Sequence, residues 1–188
     1  MVVSPDQVRS ILGLHGTTKP QTEDEWSGQL RLPDEVVRFY REVGPVDLTV
    51  PGTANSFFFP SLRNLWSHQA GYRWDGNTGE EVLDWSRDWL VIADEGADPF
   101  IFNLADRRVL WAMHGTSSWD AGEVYEDLFT MAACIGTLGR VIEEAGLDLF
   151  DDECNIVDSY KDIARAHISE LLGDSKTAEP VLEQHGWL

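Results

Sequence analysis

Capping residues and apolar spacing predict four main helices. A capping box at Ser4 and Gln7 predicts a short first helix that ends near Leu14. The second helix follows Leu32-Pro33 and ends at Gly44-Pro45. Two further helices are predicted late in the chain, because apolar residues recur there three and four positions apart. Their apolar positions are Val124, Leu128, Met131, Ile135, Leu138 and Ile142, and then Val157, Tyr160, Ala164, Ile168 and Leu171.

Runs of apolar residues between these helices predict five strands. Val46 to Val50 and Phe57 to Phe59 flank a Pro-Gly segment that has the composition of a hairpin connection. The strongest signal is a set of three runs separated by short polar turns, which suits consecutive antiparallel strands at the sheet centre. These runs are Trp89 to Ala93, Pro99 to Leu104 and Val109 to Met113.

Helices first, strands next and helices last predict an α+β class rather than an alternating α/β one. The length of 188 residues suits one domain. We place this domain at residues 1–172, with a last helix at about 155–172. Residues 173–188 show no sustained period and are predicted to form a loosely attached tail. Residues 71–88 hold few aliphatic side chains and are predicted to be a long surface loop or an insertion.

The net charge of the chain limits the classes of partner that we expect it to bind. Fourteen Lys and Arg face 33 Asp and Glu, giving a formal net charge of -19. Such a surface repels phosphate backbones and anionic lipid, so nucleic acid and membrane are excluded as expected partners. No apolar run has the length of a membrane span, and the N-terminus lacks the features of a signal peptide. A cytoplasmic protein is therefore expected. Cys134 and Cys154 are predicted to be small buried residues.

The sequence contains no motif of a known catalytic or metal centre. A P-loop, a nucleophile elbow, a dinucleotide fingerprint and a zinc-protease motif are all absent, and the five histidines are scattered. We therefore predict no catalytic residue, no metal and no cofactor. Asp94, Glu95 and Asp98 cluster on a turn between strands, where they could bind a cation or act as acid and base, although a solvated acidic turn is favoured. His114 to Ser118 is interpreted as a turn.

Two features remain as candidates for function. Residues 120–158 hold 11 acidic side chains and only Arg140 as a cation, which indicates either a solvated face or a surface that steers a basic partner. Six of the eight tryptophans lie between Trp66 and Trp119. Three of them occupy polar segments and suit interface anchors, although folding of the loop over the sheet would serve as well. These three are Trp74, Trp85 and Trp119.

The pattern resembles the SUKH superfamily of bacterial immunity proteins, relatives of the fungal Smi/Knr cell-wall assembly regulators. The resemblance covers about residues 22–145. It rests on Leu32-Pro33-Asp34-Glu35 with Phe39-Tyr40, on the run from Trp89 to Phe100, on Val109 to His114, and on the helix entered near Tyr125. The segment 71–88, the helix beyond Asp152 and the Gly44-Pro45 pair depart from the pattern.

The resemblance implies an α+β domain with a mixed, mostly antiparallel sheet packed by helices. It also implies a non-catalytic protein that binds and neutralises a cognate toxin, often a nuclease. An acidic protein suits the basic cleft that a nuclease needs. We expect the contacts to come from Asp94, Glu95, Asp98, Trp74, Trp85 and Trp119. A regulatory scaffold, a small-molecule or carbohydrate binder using an aromatic groove, and an enzyme with a hidden site remain as alternatives, and the oligomeric state stays open.

Overall fold

The computed structural model describes residues 3–116 and 118–188. Six strands form one open sheet in which each strand lies beside its predecessor in the chain. They are β1 (Leu48–Val50), β2 (Phe57–Phe59), β3 (Trp89–Glu95), β4 (Asp98–Asn103), β5 (Val109–Trp111) and β6 (Gly122–Tyr125). The helices are α1 (Pro5–Leu12), α2 (Asp34–Glu42), α3 (Leu62–Leu65), α4 (Leu128–Ala145), α5 (Asp158–Leu172) and α6 (Ala178–Gln184). The predicted α+β class is confirmed, and the described strands pair antiparallel throughout rather than in a mixed sheet.

The two central strands are buried on both faces. Strands β3 and β4 carry apolar side chains at consecutive positions, and side chains alternate between the faces of a strand. Leu90 and Ile92 therefore enter the main core, which the helices cover. Val91, with its register partner Ile101, enters a second apolar cluster on the opposite face. Both faces of the sheet are thus covered.

Helix α4 runs through the middle of the main core. Its glycines allow close packing, since a Cβ on Gly136 would lie 2.6 Å from Ile11 of α1, and one on Gly139 would lie 2.3 Å from Val50 of β1. The helix begins at Leu128, after Asp127 accepts hydrogen bonds from two backbone N–H groups of its first turn. The predicted start at Val124 is wrong, because Val124 belongs to strand β6.

The segment 71–88 covers the second face of the sheet. Tyr72 and Trp85 are buried in the second apolar cluster, which also holds Leu110, and Trp89 and Trp119 pack against it. The prediction of a surface loop is therefore wrong for the aromatic part of this segment. Aromatic rings replace the aliphatic side chains that would have identified the segment as buried.

The C-terminal segment is docked rather than loosely attached. Helix α6 buries Ala178, Val181 and Leu182, and the ring of Trp187 is 1% exposed. The Thr53 hydroxyl donates to the carbonyl of His185 at 3.1 Å, which ties this segment to the loop after β1. The prediction of a tail at 173–188 is wrong, because a few large side chains anchor the segment without any repeating apolar period.

Capping boxes at Ser4 and Thr22 precede different local structures. At Ser4 the capping box forms and α1 follows. At Thr22 the backbone N–H donates to Glu25, yet only one turn of 3-10 helix follows, at Glu23–Glu25. Among the described residues, no helix is both long enough and apolar enough to cross a lipid bilayer.

Candidate functional site

The turn between β3 and β4 carries the predicted acidic residues on a strained backbone. Gly96 and Ala97 both have positive φ angles, 58° and 81°, as a two-residue primed hairpin turn requires. Glycine suits position 96, where a Cβ would lie 2.7 Å from Asn55. Alanine at position 97 is held in a region that L residues rarely occupy, and such strain persists only where the surroundings impose it.

A shallow cleft opens beside this turn. The hairpin cleft, as we name it, has a volume of about 370 Å³ and is lined by Ser67, His68, Ala70, Gly71, Tyr72, Ala97, His114 and Trp119. Nε2 of His68 lies 2.7 Å from a carboxylate oxygen of Asp94, and both side chains are less than one-fifth exposed. The contact is close, but Nε2 has no aligned hydrogen bond to a described residue.

A second histidine holds the carboxylate of Asp98. Nδ1 of His114 lies 2.6 Å from Oδ1 of Asp98, and the backbone N–H of His114 donates to the same oxygen at 2.6 Å. The His114 ring is 55% exposed, whereas the Asp98 side chain is 19% exposed. Asp94 and Asp98 thus each contact an imidazole that lines the hairpin cleft, that of His68 and that of His114.

Aromatic rings form another wall of the cleft. The ring of Tyr72 lies 5.7 Å from that of Trp119 and 6.2 Å from His68 between centroids. Burial raises the pKa of the Tyr72 hydroxyl, and the charges of Asp94 and Asp98 raise it further. Tyr72 therefore remains a neutral phenol and contributes an apolar ring with a polar tip.

Glu95 lies on the same turn and is partly buried. Burial raises its pKa, the N–H of Asn55 opposes this shift, and the charge of Asp98 reinforces it. Glu95 therefore gives up its negative charge more readily on acidification than an ordinary glutamate does.

The predicted tryptophans separate into different environments. Trp119 is partly exposed and lines the hairpin cleft. Trp85 lies beneath it, 6% exposed, at 5.2 Å from both Trp89 and Trp119 between ring centroids. The expectation that Trp85 is an exposed anchor is wrong, since it belongs to the second apolar cluster. Trp74 lies outside the hairpin cleft, in another cleft beside Trp66.

The serine and threonine hydroxyls at or beside the hairpin cleft bond to the backbone. The hydroxyls of Ser67 and Thr116 donate to the backbone carbonyls of Asn64 and Ser118, so neither is paired with an imidazole. Ser117, within the predicted 114–118 turn, lies outside the described residues. In the described ranges, no group of three or more histidine, cysteine or carboxylate side chains is placed to hold a metal ion.

The two cysteines differ in environment. Cys134 is buried in α4, where burial raises the pKa of its thiol. Cys154 is exposed on the loop between α4 and α5, so the prediction that it is buried is wrong. Its φ of 64° places it in a turn that interrupts the apolar pattern on either side.

The acidic residues of 120–158 fall into two groups, those that cap a helix or pair with an arginine and those that are exposed on a loop. Asp127 caps α4, while Glu123 and Glu144 pair with Arg108 and Arg140. The remaining acidic side chains of the loop between α4 and α5 are exposed. They are Asp148, Asp151, Asp152 and Glu153. Two apolar side chains on the same loop are exposed as well, Leu147 at 99% and Phe150 at 41%.

Sequence reasoning missed the histidines of the cleft. The register of β4 and β5, in which Phe100 pairs with Trp111, places Asp98 opposite the residues that follow β5. Continued two residues beyond the Phe100–Trp111 pair, this register brings Asp98 opposite Met113, and His114 is the next residue along the chain. No comparable signal exists for His68, because its position depends on how α3 packs against the sheet.

Comparisons of the chain with protein-family models, with curated proteins and with solved structures find no significant match.

Proposed function

We propose that this chain is a non-catalytic immunity-type protein that binds and neutralises a basic toxin domain, as its resemblance to the SUKH superfamily implies. The observation that carries the proposal is that most carboxylates of the chain form no ion pair with a lysine or arginine of the described residues. Across the described residues, lysine and arginine side chains reach only nine of the 33 acidic residues. Unpaired carboxylates keep the surface potential negative and speed association with a basic protein.

The hairpin cleft is the contact site that we propose for this partner. Asp94 and Asp98 supply negative charge at its edge, and the rings of Tyr72 and Trp119 supply apolar surface. A lysine or arginine side chain needs both, since its stem packs on aromatic surface while its charged head meets a carboxylate. The contacts with His68 and His114 restrict the two aspartate side chains, which limits the entropy that binding costs.

A toxin that acts on nucleic acid fits this chemistry. Its active cleft carries lysine and arginine to bind phosphates, and an acidic protein in that cleft excludes the substrate. Neutralisation then requires no reaction by this chain. Occupation of the toxin's active cleft by this chain is sufficient.

Affinity capture with charge-matched variants tests the proposal. The tagged chain is immobilised and exposed at low salt to an extract of its source cells. The cleft variant D94N/D98N and the loop variant D152N/E153Q each lose two negative charges, so both have equal capacity for non-specific ion exchange. We expect a basic protein to be retained by the wild-type chain and the loop variant, and its recovery to fall by about fivefold or more with the cleft variant.

Three results would contradict parts of this account. Retention of no basic protein overturns the proposed function. Equal retention by both variants shows ion exchange rather than a specific site. Loss confined to the loop variant moves the contact site to the loop between α4 and α5 and overturns the assignment to the hairpin cleft.

A further inference from the structure

A second cleft lies away from the hairpin cleft and contains a pair of tryptophans. This tryptophan cleft has a volume of about 530 Å³ and is lined by Gln29, Leu30, Trp66, Arg73, Trp74, Gly79 and Glu81. The volume lies within the range of about 300 to 1,000 Å³ that small-molecule sites occupy. Three separate parts of the chain supply its walls: the segment before α2, the residue after α3, and a flap at residues 73–82.

The flap is a small hairpin with its own hydrogen bonds. The N–H of Val82 donates to the carbonyl of Arg73 at 3.0 Å, and the N–H of Asp75 donates to the carbonyl of Glu80 at 2.8 Å. The Asp75 carboxylate accepts two N–H groups of the turn, at 2.8 Å each. The flap therefore holds Trp74 and Glu81 side by side at one edge of the cleft.

The two tryptophan rings form an aromatic wall that is supported from behind. The ring centroids of Trp66 and Trp74 lie 4.9 Å apart, and the ring planes are inclined at 46°. Trp26 meets Trp66 edge-on at 5.6 Å, and its indole N–H donates to the carbonyl of Leu30 at 2.9 Å. The indole N–H groups of Trp66 and Trp74, by contrast, have no hydrogen-bond acceptor among the described residues.

Arg73 brings a charged group to the cleft without a carboxylate bound to it. Its Nη2 donates to the carbonyls of Arg87 and Trp89 at 2.8 and 2.7 Å, which fixes the guanidinium plane. Its Nε is buried and has no hydrogen-bond partner in the described part of the chain. Nη1 makes no hydrogen bond to a described residue, so the guanidinium retains donors there that its own protein does not use, although acidic residues outnumber basic ones in the chain by more than two to one.

We propose that the tryptophan cleft binds a neutral pyranose unit of an oligosaccharide. A pyranose has an apolar face of C–H groups, which stacks on an indole ring, and a rim of hydroxyls that donate and accept. Arg73, Glu81 and Gln29 supply planar polar groups for neighbouring hydroxyls, and the two free indole N–H groups supply further donors.

The charges of the molecule favour a neutral ligand over the charged alternatives. The net charge of -19 repels anions such as nucleotides. Inside the cleft the guanidinium of Arg73 repels a lysine or arginine side chain while the carboxylate of Glu81 attracts it, so such a charge would lose its water without a net attraction. A ligand with hydroxyls and one apolar face meets neither penalty. This proposal does not depend on the function proposed for the hairpin cleft.

The test is a titration of the full chain with maltopentaose, cellopentaose and triacetylchitotriose, followed by the eight indole N–H signals in a nitrogen–proton correlation spectrum. We expect one sugar to shift the signals of Trp66 and Trp74 saturably, with a Kd of about 0.1 to 1 mM. The Trp119 signal should stay in place. Absence of any saturable shift up to about 10 mM of every sugar overturns the proposal.

Variants then locate the site. E81A changes a side chain that is 71% exposed, so the fold should persist while sugar affinity falls by about threefold or more. W74A should lower affinity by about tenfold or more, and W119A serves as the control with unchanged affinity. If W74A fails to fold, E81A and Q29A decide the question. Loss of affinity with W119A but not with E81A overturns the assignment.

Discussion

His114 and Asp98 hold each other across the ends of two strands. Nδ1 of the imidazole lies 2.6 Å from Oδ1 of the carboxylate, and the backbone N–H of His114 donates to that same oxygen at 2.6 Å. The other oxygen, Oδ2, has no hydrogen bond within the described residues. A cationic partner therefore meets a carboxylate with a fixed orientation and one free oxygen, rather than a freely rotating surface aspartate.

The association rate of a captured partner should fall steeply with salt. Long-range attraction to the acidic surface acts before contact, and salt screens it with a Debye length of about 8 Å at physiological ionic strength. Raising the salt from about 50 to 500 mM should slow association by about tenfold while dissociation changes little. Stopped-flow or biosensor kinetics measure both rates. An association rate independent of salt would remove electrostatic steering from the account.

Trp85→Ala should destabilise the fold by about 3 kcal/mol, because the ring is buried against Tyr72 and Trp89 on the second face of the sheet. Leu83→Ala is the matched control in the same segment, with a side chain that is 97% exposed and an expected change below about 0.5 kcal/mol. Urea unfolding measures both values. Equal changes for the two variants would mean that this segment does not pack on the sheet.

His185 should make the fold less stable in acid. Burial lowers its pKa from 6.5 to about 3, so the unfolded chain binds more protons between these two values. The stability contributed by the neutral imidazole is complete above about pH 6.5 and is lost as the pH falls toward 3, by about 2 kcal/mol between pH 7 and 5. The carboxylates add their own pH dependence, so a matched variant must be subtracted.

The matched variant is H185F/Y125F. The Tyr125 hydroxyl is hydrogen-bonded to Nε2 of His185, so replacing both residues leaves no phenol without its partner. Urea midpoints between pH 7 and 5 should fall more steeply for the wild-type chain than for this variant. Parallel pH profiles for the two proteins would show that His185 is not buried in its neutral form.

Trp187→Ala should loosen the C-terminal segment. The ring is 1% exposed, and its loss should cost about 3 kcal/mol or more. The neighbouring Leu188→Ala, at a side chain that is 52% exposed, provides the control with little expected change. Amide exchange across residues 174–188 should speed up only in the first variant. Rapid exchange already present in the wild-type chain would contradict the docking of this segment.

The sequence predicts elements well where apolar residues alternate or recur. Strands β3, β4 and β5 and helices α2 and α5 lie close to their predicted positions, because their apolar runs are long and bounded by polar turns. Strand β6 was missed because Val124 fits both the strand and the apolar spacing of α4. Propensity alone does not decide between these two states.

The hairpin cleft was only partly predictable from the sequence. The turn that carries Asp94 and Asp98 follows from the hairpin pattern, but the contacts with His68 and His114 depend on tertiary packing. The burial of Trp85 likewise depends on tertiary packing. A tryptophan in a polar segment looks exposed in sequence, and only the folding of that segment over the sheet buries it.

Protection of growing cells tests the central claim most directly. The captured basic protein is expressed in a host that lacks this chain, alone or together with the wild-type chain, D94N/D98N or D152N/E153Q. The account predicts that the partner alone arrests growth, that the wild-type chain and D152N/E153Q restore it, and that D94N/D98N does not. A partner that is harmless when expressed alone, or one that still arrests growth while bound to the wild-type chain, would contradict an immunity function.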